Sequence, residues 1–329
     1  MFRYIIRRNG KYGFINENGE EVIKPVFERV SEFNEGLAWA VIERNEKWFS
    51  GFINENGEWQ IEPTFSGYGW SMFETSLFSE GLAPIQSDNK KMMYINRLGD
   101  PVTDSIYDQA FHFSENRALV SINGLFGFID ALGNQVINCQ YGINQAFEYN
   151  SRFSEGLAMV RFNIGNDGLE SENNYGYINK SGEIVFEPEN YYGNAFSEGF
   201  AMVKDGFDYY FINLEGEIPF EKTSQVATMF SEGLANIYDN ETESFGFINT
   251  SGEWSIEPKF KESLRFSDGL ACVKRLGMKA KGYIDKKGQI VISEKFKTAL
   301  PFKNGLAYVD QGKQKGYINK LGEFIWQSK

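Results

Sequence analysis

One hexad is written nine times along the chain: an aromatic, Ile, Asn or Asp, two free positions, then Gly. It reads FINENG at 14–19 and 52–57, YINRLG at 94–99, FIDALG at 128–133, YINKSG at 177–182, FINLEG at 211–216, FINTSG at 247–252, YIDKKG at 283–288 and YINKLG at 317–322. A second phrase alternates with it, FSEGLA or a near variant, at 33–38, 78–83, 113–118, 153–158, 196–201, 230–235, 266–271 and 302–307. A short unit recurring every 34 to 49 residues, with no linker or shift of composition between copies, predicts one tandem array over residues 1–329.

Each unit reads as strands and turns. Phe and Tyr are abundant (30 and 17), Gly numbers 34, and the long Leu/Ala/Glu/Lys periodicity of helices is missing. The phrase L-A-x-V predicts a first strand, the GFIN segment a second, and a short stretch such as EEVI at 20–23 a third, so the fold class expected is all-β, nine three-stranded antiparallel repeats. Asx at the first position and Gly at the fourth of the hexad are the demands of a type I turn closed by a left-handed Gly, so a hairpin joins strands two and three in all nine copies. The S-E-G turn makes a similar demand. Seven of its eight copies carry Gly and the eighth carries Asn116, the residue that best tolerates a left-handed backbone. The acids beside it, Glu35, Glu80, Glu155, Glu198, Glu232 and Asp268, are expected to be solvated.

These phrases together resemble the WG (KWG) repeat family of bacterial proteins over nearly the whole chain. The resemblance implies a β-rich tandem repeat and brings no established activity with it. The sequence departs from the family at the position that names it: where Trp precedes Gly, this chain has Tyr12, Ser50, Met92, Phe126, Tyr175, Tyr209, Phe245, Lys281 and Lys315. Each unit reads as whole, without a repeat split between the two termini, so an open curved superhelix is expected, with a closed propeller-like toroid as the alternative.

Charge and composition then narrow the function. With 33 basic and 45 acidic residues the net charge is −12, which argues against nucleic acid and anionic membrane as partners; no local basic patch is read from the sequence. The opening segment has no apolar run long enough for a secretory leader and nothing approaches a membrane span, so a soluble, cytoplasmic monomer is expected. Cys139 and Cys272 read as two unrelated reduced thiols, the first standing where other units place Pro. With one histidine, His112, no catalytic triad is assembled, no zinc spacing is present, and no cofactor is expected. The oxygen-rich stretch 163–174 lacks the terminal Glu of a calcium loop and reads as a hairpin tip.

A binding surface is sought where the repeats disagree within a fixed frame. The third letter of L-A-x-V is such a place: Trp39, Pro84, Leu119, Met159, Met202, Asn236, Cys272 and Tyr308. Trp39, Met159, Met202 and Tyr308 are therefore expected to line one face, and two insertions contribute Trp70 and Phe147. The function expected is a non-enzymatic scaffold that holds a protein or peptide, including a basic one, as a cytosolic antagonist or immunity-type protein would. The alternative is a glycan-binding module that uses exposed aromatics.

Overall fold

The computed structural model describes residues 2–65, 77–143, 151–162, 174–189, 192–205, 208–220, 224 and 226–328. These divide into two compact bodies, residues 1–171 with 176–188, and residues 172–175 with 189–329. Every regular element among the described residues is a β-strand, and the strands pair antiparallel.

The first repeats show the rule. β1 (Tyr4–Arg8), β2 (Lys11–Ile15) and β3 (Glu21–Phe27) form one sheet; β4 (Arg29–Val30), β5 (Leu37–Arg44), β6 (Lys47–Asn54) and β7 (Trp59–Phe65) form the next. In the second repeat the three strands expected are thus joined by a short fourth one ahead of L-A-x-V. It recurs as Gln109–Ala110, Tyr192–Gly193 and Thr298–Ala299.

Both hairpins are built as the sequence requires. At the hexad, the Asn16 carbonyl accepts from the Gly19 amide, while its side-chain oxygen accepts from the amides of Asn18 and Glu20. Gly19 sits at φ 80°, the left-handed position that Gly occupies without a Cβ clash. At the S-E-G turn, Asn34 and Leu37 exchange both backbone bonds, and both residues between them have positive φ, Glu35 at 50° and Gly36 at 77°. This is the two-residue mirror-type turn that matches strand twist. The left-handed Gly of the reading is confirmed; a left-handed Glu beside it is not foreseen, and it is a strained choice for a residue with a Cβ.

What sustains that Glu is the following repeat. The Glu35 carboxylate accepts from the amides of Glu80 and Gly81 at 2.6 and 3.0 Å, Glu80 accepts from Asn116 at 2.8 Å, and Glu115 accepts from Glu155 and Gly156 at 2.7 and 2.9 Å. In the second body Glu198 holds the amides of Glu232 and Gly233, Glu232 that of Gly269, and Asp268 that of Gly305. Cations from the next repeat's hexad add to this: Arg97 to Glu35, Lys180 to Glu115, Lys286 to Glu232. The turn acids are therefore ties between repeats and not merely solvated groups. Beside them Ser79, Ser114, Ser231 and Ser267 donate to the carbonyls of Phe113, Phe153, Phe266 and Phe302, one repeat on.

The core lies between successive sheets. The hexad aromatic of one repeat meets the S-E-G Phe of the next edge-on: Phe14 with Phe33, Phe52 with Phe78, Tyr94 with Phe113, Phe247 with Phe266, Tyr283 with Phe302, with ring centroids 4.8–5.2 Å apart. β5 is buried on both faces: Ala38 and Ala40 pack on Phe14, Ile23 and Phe27 of the repeat before, and Leu37, Trp39 and Val41 pack on Phe78, Ala83 and Ile85 of the repeat after. At Trp39 the variable third letter is a spacer between sheets, fitted to the neighbour it faces.

Candidate functional site

The Gly of GFIN explains where the array breaks its own rule. Backbone φ is not the constraint on it; closeness is. A Cβ added at Gly13, Gly51, Gly127, Gly246 or Gly282 would lie far inside contact distance of a carbonyl oxygen on strand three, that of Ile23, Ile61, Ile137, Ile256 or Ile292. The pairing of strands two and three shifts register at this point, as between Ser50 and Phe52, so a bulge presses one backbone on the other. Two repeats lack the Gly, with Met93 in the third and Tyr210 in the sixth. These are the two repeats in which no third strand forms among the described residues.

In the third repeat only Leu82–Gln86 and Met92–Asn96 pair as strands. The segment that follows touches them through isolated bridges, Ile95 with Pro101 and Met92 with Tyr107. Its residues suit an irregular course: Pro101 lacks a donor, Thr103 stands where other repeats place Ile, and Asp104 and Ser105 favour turns. Ser105 and Asn89 exchange hydrogen bonds, Thr103 Oγ1 accepts from the Tyr94 amide, and the Thr103 methyl group abuts Gly133 of the next repeat. The result is an open concavity of about 340 Å³ between Pro101, Asp104 and Ile106 on one side and Leu132 and Gly133 on the other. Ile106 and Leu132 are 48% and 78% exposed there, and Leu98, on the preceding hexad turn, is 75% exposed. Beneath them Tyr107 is buried, and burial raises its phenol pKa. The lining of the concavity mixes polar groups of the 101–104 segment with the exposed Ile106 and Leu132, and carries one acid, Asp104.

The residues singled out from the sequence are placed otherwise. Trp39, Met159 and Met202 are buried at 1%, 0% and 8% exposure, so they form no exposed face. The reason is that both faces of the first strand are covered by neighbouring sheets. Tyr308 is half-buried, with its ring 5.3 Å from Tyr317, which in turn lies 6.2 Å from Trp326. The three are cross-strand partners in one row, and all are partly exposed. Trp70 and Phe147 lie outside the described residues, as does the stretch 163–173.

His112 meets Arg152 side chain to side chain. Burial, then the Arg152 charge, lowers its pKa to about 4, so the ring is neutral at pH 7. Its Nδ1 and the Ser151 hydroxyl are buried without a hydrogen-bond partner. Cys272 is buried and its thiol is pushed up to about 12, while Cys139 is half-buried with its pKa also raised by burial; both are free. Neither environment makes a reactive thiolate.

A tandem array of antiparallel β-repeats is the class of protein that this fold defines. The sequence matches the family of the WG containing repeat over residues 12–48, 51–90, 92–126, 175–206, 245–277 and 282–314, and the chain belongs to that family. No curated protein matches it. Among solved structures it is similar to a eukaryotic initiation factor (11% identity, 75% of this chain and 72% of that one, TM-score 0.49), to AztD from Citrobacter koseri (12%, 97% and 90%, TM-score 0.41) and to a streptogramin B lyase (13%, 76% and 82%, TM-score 0.32). Likenesses this weak carry no argument about this chain.

Proposed function

We propose that the protein is a non-enzymatic scaffold that holds a protein or peptide, and that the third repeat is where it does so. The observation that carries this reading is the concavity left by the missing third strand, with Ile106 and Leu132 exposed at its walls. Exposed apolar side chains grouped at a break in an otherwise regular frame are what partner surfaces are made of. The acidic first 258 residues favour a basic partner, as an antagonist or immunity-type protein of the cytoplasm would require. Changing Ile106 and Leu132 together to Asp should abolish capture of the partner from native lysate without lowering the melting temperature. Undiminished capture by that variant would remove the surface from consideration.

The glycan-binding alternative has its own support in the row Tyr308, Tyr317 and Trp326, since adjacent partly exposed rings stack on sugar faces. Saturable binding of an oligosaccharide, lost on Trp326→Ala, would favour it. An open array belongs to the main reading, supported by a first repeat whose three strands come from one continuous stretch, β1 to β3. Deleting residues 299–329 should then leave a cooperatively folding β protein, whereas a closed ring would lose its transition.

A further inference from the structure

Charge is not spread evenly along the chain. Residues 259–329 hold 16 Lys and Arg against 6 Asp and Glu, a net of +10, while residues 1–258 carry −22. The basic patch missed in the whole-chain total is therefore the last two repeats. The pairing gathers much of it at one end of two consecutive sheets in the second body. Strand Ala271–Arg275 turns through 276–280 into Lys281–Ile284, and Lys281 faces Phe296 at the finish of strand Ile290–Phe296. Lys297 then leads into Thr298, which faces Asp310, and Asp310 faces Lys315 across the turn 311–314. The turns 276–280 and 311–314 thus share an end.

The acids at that end are already engaged. Glu262 is bridged by Lys274 and Lys281 at 2.9 Å each, Glu294 by Arg275, and Asp310 by Lys315 at 2.9 Å. Lys279 and Lys313 are exposed at the two turns and make no ion pair among the described residues. The preceding turn of the same sheet carries Glu241 and Glu243, which bounds the basic surface on that side. Between the cations stand two apolar side chains, Leu276 at 55% exposure and Met278 at 39%, in the same short turn as Lys279.

An apolar turn tip with unpaired lysines at the same end gains on two counts at an anionic bilayer, by burying the tip at the headgroup boundary and by meeting negative lipid. Two features set this apart from a nucleic-acid surface. Fourteen of the 16 cations are Lys, compact point charges and not the planar forks that grip single phosphates, and the turn 276–280 offers no aromatic for base stacking. The acidic bulk of the chain does not forbid the approach, since charges more than about 8–10 Å away are largely screened at physiological salt.

We propose that this end of the eighth and ninth repeats docks the protein on an anionic lipid bilayer, with Leu276 and Met278 entering the headgroup region and Lys279 and Lys313 against the charged lipid. The docking is independent of whatever partner the third repeat holds. It reverses the expectation of no membrane contact that the net charge suggests.

Sedimentation of the full chain with vesicles tests this, using phosphatidylcholine alone and phosphatidylcholine with about 30 mol % phosphatidylserine, an anionic content that gives the surface potential such lysines sense. Binding is expected to the anionic vesicles only, and to fall with salt. Lys279→Glu with Lys313→Glu should weaken partitioning by about twentyfold or more, at roughly fivefold per lysine charge removed. Leu276→Ser with Met278→Ser should weaken it at constant charge. Lys287→Glu with Lys320→Glu makes the same charge change on turns at the opposite end and should leave binding within about twofold if the field is local. No binding to anionic vesicles at low salt overturns the proposal. So does equal loss in the control pair, or an unchanged Leu276/Met278 variant whose vesicle binding is displaced by duplex DNA, which would mark a general polyanion surface.

Discussion

Repeats two and three carry the same two phrases, yet β7 completes the sheet of one while an irregular segment, 101–107, follows the second strand of the other. The difference begins at a single atom position. Gly51 lets the Ile61 carbonyl approach the backbone of β6; at Met93 a Cβ fills that space, and the strand that would press there is absent. In the third repeat, loss of the motif glycine goes with loss of the third strand and with an open cavity in its place.

The most severe way to test this is to write repeat three's residue into a complete repeat. Gly127→Met should expel strand Gln135–Tyr141 from its sheet, destabilise by about 3 kcal/mol, at the upper end for overpacking, and abolish amide-exchange protection at 135–141. Retained protection with an unchanged melt would separate the glycine from the strand and break the comparison. Met93→Gly, in contrast, should be tolerated.

Next in size is the pH response of the boundary between repeats four and five. The folded-state pKa of His112 lies at about 4, below its ordinary 6.5, so the unfolded chain binds the proton more readily. Stability from this group is complete above pH 6.5 and is lost as pH falls from 6.5 to 4, by on the order of 2–3 kcal/mol. Urea midpoints across that window should slope for the native protein and lie flatter for His112→Gln; equal slopes would assign the effect elsewhere.

Within the S-E-G turns, Gly156→Val and Gly233→Val should each lose about 1–3 kcal/mol, because both glycines have φ near 85° with open space around them, so the penalty is backbone strain and not a clash. Asn116→Gly should be neutral or stabilising, since Asn116 already stands at φ 63°. Thermal melts rank the three.

The smallest effect expected is that of a single tie. Burial acts against the Glu115 carboxylate, but Lys180 and the amides of Gly156 and Glu155 outweigh it and hold its pKa below the ordinary value. Glu115→Gln should therefore cost about 1 kcal/mol at neutral pH and nothing once pH falls below the carboxylate range. A loss that persists in acid would assign the tie to shape and not to charge.

The turns were legible because their chemistry is local: Asn16 and Gly19 settle a hairpin within four residues whatever surrounds them. Strand order followed from the same turns. The face of Trp39 was not legible, since alternation shows that it opposes Ala38 but not that another sheet will cover both. The role of the turn acids escaped for a similar reason, as Glu35 reaches an amide 45 residues further on. Two signals were present and unread. Met93 and Tyr210 interrupt the glycine column, and the lysines of the last two repeats are hidden in a total that adds them to an acidic majority.

The carboxylate ties have a direction. Glu35 serves the turn at 80–81, Glu80 serves the turn at 116, and Glu115 serves the turn at 155–156, so in this row each repeat offers its own amides to the one before. The third and fourth repeats are thus each plug at one edge and socket at the other. A duplicated copy spliced in anywhere along such a row would find both neighbours already wired to receive it, so an array of this kind can lengthen by whole copies without redesigning any junction.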